Sequence, residues 1–201
     1  LKSNEAEESI KNLNFAFMFA PNYHSAMKYV GPARKKMGKK TIFNLIGPLS
    51  SPAQVKRQVI GVFDKKWMRP FAEALKENGV VHAFIIHSED GMDEISPFAN
   101  TNVVELKDST IKEFTIDPKT LGIDSDNKED LKGKNAKYNS EKIIEIFKGK
   151  NNEFSKAVAL NVGAGLIVSG KERDFKISYE KATKHLNSGQ VFQYLVKIQS
   201  N

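Results

Sequence analysis

Two apolar segments with an amphipathic segment between them dominate the middle of the chain. Residues 57–63, RQVIGVF, and 80–87, VVHAFIIH, are continuous and rich in β-branched and aromatic side chains, which is typical of buried strands. Residues 64–78 have apolar positions at helical spacing, and Gly79 follows them at a place that favours a helix end. The order strand, helix, strand predicts a βαβ unit whose two strands are parallel neighbours.

The segments on either side of this unit have weaker patterns. Residues 4–12 predict a short amphipathic helix, and residues 15–20, FAFMFA, predict a short buried strand or extended segment. Residues 24–38 have a helical pattern that a Gly-Pro pair interrupts. Residues 41–53 contain Gly-Pro and Ser-Pro pairs and predict a loop. In residues 101–117, apolar and polar positions alternate on both sides of the turn signal KDST, which predicts a β-hairpin.

The last third of the chain is polar at first and then helical in pattern. A polar loop is predicted for residues 124–139, and helices are predicted for 140–149, 153–169, 175–187 and 189–198. Together the patterns predict one α/β domain over residues 1–201, with a mixed, mostly parallel sheet covered by helices.

Composition narrows the class of protein. The 201 residues are 40% hydrophobic, enough to fill a core, and the absence of cysteine excludes disulfides and thiolate metal sites. No apolar run approaches the ~20 residues that span a bilayer, so we expect no membrane partner. The lack of cysteine fits a reducing cytoplasm, where we expect the protein. The first residue is Leu rather than Met, so we expect the chain to be a fragment or a processed product.

The net charge of +7 comes from 31 basic and 24 acidic residues. The lysines are spread along the whole chain, without blocks of like charge and without interleaved aromatic residues. This arrangement favours an anionic small substrate, or a general lysine bias, over a nucleic-acid surface.

Four carboxylates in residues 87–96, HSEDGMDEIS, follow the second predicted strand. Ligands of parallel sheets collect at the carboxyl ends of strands. Adjacent carboxylates there, such as Asp93 and Glu94 after Gly91, can share a Mg²⁺ ion with water and substrate phosphates. The alternative is a polar loop in which the acids cap the next element.

His24 and Arg34 lie in residues 20–36, APNYHSAMKYVGPARKK. Arginine grips a carboxylate or phosphate with two hydrogen bonds, and histidine donates or titrates. The alternative is a surface arginine and a capping histidine. Elsewhere, Gly163 and Gly165 indicate close helix packing rather than a phosphate loop. His82 lies within an apolar strand and is predicted to be a core histidine with its hydrogen bonds made. No nucleophilic triad is evident.

Three segments form a specific combination: FMFAPNYHSAMKYVGPARKKMGKKTIFNLIGPLSSPA, RQVIGVFD and GMDEIS. Two later segments support it: LKGKNAKYNSEKIIEIFKGK and ALNVGAGLIVSGK. Together they resemble anthranilate phosphoribosyltransferases. The resemblance covers almost the whole chain from Phe15 on. It implies a glycosyltransferase domain of the kind that nucleoside phosphorylases and class II phosphoribosyltransferases share. It also implies transfer of phosphoribose from phosphoribosyl pyrophosphate (PRPP) to the amine of anthranilate, a step of tryptophan synthesis.

The resemblance implies a role for residues of two motifs. Asp93 and Glu94 would hold Mg²⁺ against the pyrophosphate, which accounts for carboxylates in a basic chain. Arg34 would grip the anthranilate carboxylate. Three further residues would line the anthranilate pocket: Pro21, His24 and Met27. No residue would act as a nucleophile, because catalysis would consist of positioning and charge stabilisation.

The chain departs from the family pattern at its start. It lacks the Gly-rich phosphate loop, the Lys-His-Gly-Asn segment and the N-terminal helical part that carries the family's dimer contact. We therefore expect the C-terminal portion of a longer homodimeric enzyme, without turnover on its own. Two alternatives stay open: a non-catalytic nucleic-acid-binding relative of the same fold, and a pyrimidine nucleoside phosphorylase.

Overall fold

The computed structural model describes residues 1–24, 29–31, 36–38 and 43–200. These residues fall into two compact units, residues 1–54 and residues 55–201. Each unit is described by itself, and the single-domain organisation predicted from the pattern stays a prediction.

The first unit contains helices α1 (Ser3–Leu13), α2 (Ala20–Tyr23) and α3 (Phe43–Leu49). The predicted N-terminal helix is confirmed, and the Glu5 carboxylate accepts a hydrogen bond from the backbone N–H of Lys2 at its start (2.7 Å). Pro21 stands in the first turn of α2, where its missing N–H costs no helical hydrogen bond.

Two predictions for this unit are wrong. Residues 15–19 do not form the buried strand, because none of them is in a strand and Phe15, Phe17 and Phe19 are exposed. The alternative, an extended segment, fits the extended backbone of Phe19. A strand needs a neighbour for its backbone hydrogen bonds, and no described residue of the first unit is in a strand. Part of the predicted loop 41–53 is helix α3, because Pro48 lies near its end and interrupts little of it.

The second unit is built on a four-stranded sheet of order β1-β2-β3-β4. The strands are β1 (Arg57–Gly61), β2 (His82–Ser88), β3 (Thr101–Lys107) and β4 (Thr110–Ile116). Helix α4 (Met68–Glu77) connects β1 to β2, which pair in parallel, so the predicted βαβ unit is confirmed. The predicted hairpin is also confirmed, with β3 and β4 antiparallel around Asp108 and Ser109, both at positive φ.

The sheet is mixed, as predicted, but parallel pairings do not predominate among the described strands. One pairing is parallel and two are antiparallel. Within residues 57–116, only the β1–β2 connection is a helical crossover; the β2–β3 connection is a loop without a helix, so β3 returns antiparallel to β2.

In the part of the chain that the structure describes, four α-helices follow the sheet. They are α5 (Ala136–Phe147), α6 (Glu153–Val168), α7 (Phe175–Asn187) and α8 (Gln190–Gln199). The last three match their predicted bounds to within one residue, whereas the first begins four residues earlier than predicted, inside the predicted loop 124–139. Helix α6 packs on β1 and β2, where Phe84 and Ile86 meet Leu160 and Ala164 in the main core. Helix α4 packs on β2 and β3, so the predicted α/β class with a helical cover is confirmed. No helix among the described residues is long and apolar enough to cross a bilayer.

Candidate functional site

A loop between β2 and β3 carries the acidic motif, and we call residues 89–97 the acidic loop. It begins where the parallel pair β1–β2 ends. Its first turn is closed by hydrogen bonds from Gly91 N–H to the Ser88 carbonyl and from Ser88 N–H to the Met92 carbonyl, both 2.9 Å. Gly91 has φ +90°, a conformation that other residues rarely adopt, which explains a glycine in the middle of the motif.

Asp90 is a structural anion, not an available ligand. Its side chain is only 3% exposed and forms an ion pair with Lys128 at 3.3 Å. It accepts hydrogen bonds from the Ser96 hydroxyl (2.7 Å) and the Met92 backbone N–H (3.3 Å). Burial raises the pKa of Asp90, but hydrogen bonds from Ser96, Ser88, Met92 and Lys128 outweigh it and leave the pKa below its usual value.

Replacing Asp90 with asparagine should therefore destabilise the protein at neutral pH. The change keeps the shape but weakens charge-assisted hydrogen bonds, so we expect a loss of about 1.5–3 kcal/mol of unfolding free energy. The folded-state pKa is below the unfolded one, so the carboxylate's contribution is complete above about pH 4 and is lost as the pH falls through the folded pKa. Urea unfolding at pH 7 and at pH 3 measures both effects.

The control for this prediction is Asp126→Asn, because Asp126 is an exposed acid outside the acidic loop. It should change the unfolding free energy by no more than about 0.5 kcal/mol at either pH. An equal loss at pH 7 and pH 3 for Asp90→Asn would contradict a role for the Asp90 charge.

Asp93 and Glu94 are the two carboxylates of the motif that remain exposed beside each other. The backbone at Asp93 lies directly on the end of β1: a Cβ atom at Gly61 would be 1.6 Å from the Asp93 carbonyl oxygen. Although Glu94 is exposed as a residue, partial burial of its carboxyl raises its pKa, and the negative charge of Asp93 adds to this. Two such carboxylates are better accommodated when a cation lies near them.

Asp93 and Glu94 suit Mg²⁺ as part of a ligand set. Among the residues that the structure describes, no three His, Asp or Glu side chains are placed to hold a metal ion together. Mg²⁺ commonly binds one or two carboxylates and completes its octahedron with water and substrate phosphate oxygens. A pair of exposed carboxylates is therefore compatible with an ion that arrives with a phosphorylated substrate.

Two contacts that position the acidic loop were not predicted. One is the close approach of Asp93 to Gly61, and the other is a pair of hydrogen bonds from Asn161 of α6 to the backbone of Ile95. The signal for Asn161 was available, since it is the one polar residue between Ala157 and Val168. A polar side chain in such a helix requires hydrogen-bond partners.

The predicted acceptor residues are only partly described. Pro21 is exposed in α2, and His24 follows that helix, partly buried, with its backbone N–H bonded to the Ala20 carbonyl at 3.0 Å. Met27 and Arg34 lie outside the described residues. The acceptor pocket stays a prediction.

Two histidines near the sheet have structural partners. His82 is buried, as predicted, and its Nε2 lies 2.8 Å from Glu105 Oε1. His87 at the start of the motif has Nδ1 2.8 Å from the Val62 carbonyl oxygen, which can only accept, so this nitrogen carries the proton. In each ring, one nitrogen is thus held by a structural partner.

The fold and the acidic loop define an α/β domain with a carboxylate pair at the end of its parallel strands. The model of the family described as "Glycosyl transferase family, a/b domain" matches residues 1–192, and the chain belongs to this family.

The relatives within this family confirm the resemblance predicted from the motifs. Anthranilate phosphoribosyltransferase of Pelagibacter ubique is 56% identical over 200 residues, which are 100% of this chain and 61% of that protein. The crystal structure of anthranilate phosphoribosyltransferase from Thermus thermophilus superposes with a TM-score of 0.87 at 34% identity, covering 96% of this chain and 57% of that one. The chain thus spans about three fifths of the length of these relatives.

A more distant structure shares the fold. Anthranilate phosphoribosyltransferase from Saccharomyces cerevisiae in complex with PRPP and Mg has a TM-score of 0.87 at 24% identity, and it covers 100% of this chain and 59% of that one.

Proposed function

We propose that this chain is part of an anthranilate phosphoribosyltransferase. The protein would transfer phosphoribose from PRPP to anthranilate and release N-(5-phosphoribosyl)anthranilate and pyrophosphate. The observation that carries this proposal is the likeness to the Pelagibacter enzyme over the whole chain. The exposed carboxylate pair at the end of the parallel strands supports it, because the reaction's donor carries phosphates that bring a divalent cation.

In this proposal the carboxylates of Asp93 and Glu94 bind Mg²⁺ together with the diphosphate of PRPP. The ion would neutralise negative charge on the departing pyrophosphate. A structure of the yeast relative is a complex with PRPP and Mg, which supports the choice of ion. Asp90, which lies in the same loop, keeps the loop's shape through Ser96 and Lys128 and does not bind the ion.

The anthranilate site in this proposal rests on the matched motif of the first unit. Arg34 grips the anthranilate carboxylate through two charge-assisted hydrogen bonds, while Pro21, His24 and Met27 line the ring pocket. The anthranilate amine is itself the nucleophile, so the chain's residues orient the two substrates and exclude water.

We also propose the oligomeric state, the location and the excluded partners that the sequence motifs and the composition predict. The full-length enzyme forms a homodimer in the cytoplasm, and it binds neither membrane nor nucleic acid. Size-exclusion chromatography with light scattering would measure the molar mass and so test for the dimer directly.

The test of the proposed activity uses the protein expressed over its complete coding sequence. Anthranilate should be consumed only when PRPP and Mg²⁺ are both present, and pyrophosphate should appear in equal amount; loss of anthranilate fluorescence and a pyrophosphate assay follow both. Phosphorolysis of a pyrimidine nucleoside, or strongly salt-dependent DNA binding without anthranilate turnover, would replace the proposal with one of the two alternatives.

Arg34→Ala in the same full-length protein tests the anthranilate site. Loss of a charge-assisted hydrogen-bond pair should weaken anthranilate binding by about 1.5–3 kcal/mol and leave PRPP binding unchanged. Isothermal titration with each substrate measures the two affinities, with Lys36→Ala, an exposed cation of the same segment, as the control. An anthranilate affinity equal to that of the parent protein would remove Arg34 from the site.

A further inference from the structure

Asn161 is an unusual residue for its position in helix α6. The adjacent Leu160 and Ala164, one turn further on, are completely buried in the main core, and the rest of the helix from Ala157 to Val168 is apolar. Asn161 itself is partly buried, and the buried part of a polar amide costs free energy unless its hydrogen bonds are made. The identity of its partners therefore indicates what the residue is for.

The Asn161 amide holds the backbone of one residue of the acidic loop at two points. Its Oδ1 accepts from the Ile95 N–H at 3.1 Å, and its Nδ2 donates to the Ile95 carbonyl at 3.3 Å. The second Nδ2 proton goes to the Ala157 carbonyl at 2.9 Å, so the amide has no unused donor. The two hydrogen bonds resemble those that a neighbouring β-strand would make. They involve the backbone of Ile95 rather than its side chain.

Asn161 is not needed for the stability of its own helix. The bond to Ala157 runs to the carbonyl four residues earlier, and such side-chain bonds do not strengthen helices. The helix has its own N-terminal cap at Asn152, which accepts from Ser155 N–H at 3.0 Å. The feature that requires an amide at position 161 is the acidic loop.

Ile95 directly follows the exposed carboxylate pair. Its side chain is completely buried in the same core as Leu160, so both its side chain and its backbone are fixed. On the other side of Glu94, the Asp93 carbonyl lies against Gly61. Glu94 therefore lies between two residues whose backbones are held in place. Its own backbone has little freedom, and its side chain is directed outward.

We propose that Asn161 is a positioning residue that fixes the direction of the Asp93 and Glu94 carboxylates toward a metal–diphosphate ligand. The proposal rests on the proposed function for the identity of that ligand. Removal of a residue that holds metal ligands in position by hydrogen bonds typically lowers metal affinity about 10–100-fold. Asn161 itself touches neither metal nor substrate in this proposal.

The test compares two variants of the full-length protein with a control in the same helix. Asn161→Leu keeps the branched shape of the side chain and removes both bonds to Ile95. Asn161→Ala removes the same bonds without the added bulk of leucine, in case leucine disturbs packing. Asn152→Ala removes the helix cap, which also destabilises α6 but does not touch the acidic loop. The readouts are amide hydrogen exchange of residues 93–96 without metal, and binding of Mn²⁺ with inorganic pyrophosphate by electron paramagnetic resonance.

Both Asn161 variants should exchange the Ile95 amide about tenfold faster and bind Mn²⁺–pyrophosphate roughly tenfold more weakly. Asn152→Ala should leave both values within about twofold of the parent. Parent-like Mn²⁺ affinity in the Asn161 variants, or equal changes with Asn152→Ala, would overturn the positioning role. If the Asp93→Asn, Glu94→Gln double variant instead binds Mn²⁺ like the parent, the metal assignment of the proposed function fails independently of Asn161.

Discussion

Replacing the two adjacent exposed carboxylates of the acidic loop, Asp93→Asn with Glu94→Gln, should lower kcat/KM of the full-length protein for PRPP about 100-fold, or about 2.7 kcal/mol. The amides keep the size of the side chains but remove the two negative charges that attract Mg²⁺. The half-saturating Mg²⁺ concentration should rise at the same time. Initial rates over a Mg²⁺ titration at saturating anthranilate measure both changes.

Glu89→Gln is the matched control for this double variant. Glu89 is an exposed acid of the same loop, and its backbone N–H donates to the Asn100 carbonyl, a bond that the substitution leaves in place. Its replacement removes one negative charge nearby without altering the pair, so rates and Mg²⁺ dependence should stay within about twofold of the parent. If Glu89→Gln and the double variant change the Mg²⁺ dependence equally, general charge rather than direct binding explains the effect.

The second large effect should come from Gly61→Ala. A Cβ atom at this position would lie 1.6 Å from the carbonyl oxygen of Asp93 and 2.7 Å from its carbonyl carbon, and neither is the movable end of a side chain. Either the end of β1 or the acidic loop must move. We expect a loss of about 3 kcal/mol of unfolding free energy, at the upper end for overpacking, together with a kcat/KM reduced at least about tenfold.

Gly165→Ala separates this clash from the general effect of adding a methyl group. Gly165 lies in α6, and a Cβ there would meet nothing within 4 Å. Alanine is also the better helix former, so this variant should be neutral or up to about 1 kcal/mol more stable. Urea unfolding of both variants gives the comparison; parent-like stability of Gly61→Ala would mean that Asp93 does not approach β1 this closely.

The secondary structure was predictable wherever a segment had its own strong period. The βαβ unit, the hairpin and the last three helices match their patterns because each buries an apolar face defined within a short window. FAFMFA has a strand-like composition, yet residues 15–19 form no strand. Strand formation depends on a partner that no local pattern can provide.

The candidate site was only half predictable for a similar reason. The motif indicated four carboxylates at the end of a strand, but it did not separate buried Asp90 from exposed Asp93 and Glu94. That difference is made by Ser96 and by Lys128, which belongs to a different segment of the chain. Burial and pairing decide which acid is a structural anion and which is available.

The sequence by itself determined the α/β class, the parallel pair, the place of the acidic motif and the resemblance to anthranilate phosphoribosyltransferases. These features follow from periodicity and from residues adjacent in the chain. The tertiary structure decided that antiparallel pairings predominate among the described strands, that Asp90 is buried and paired with Lys128, and that the carboxylate pair is held between Gly61 and Asn161. Gly61 and Asn161 are 100 positions apart in the chain. Only the packing of α6 and β1 brings them to Asp93 and Ile95, the two residues that flank Glu94.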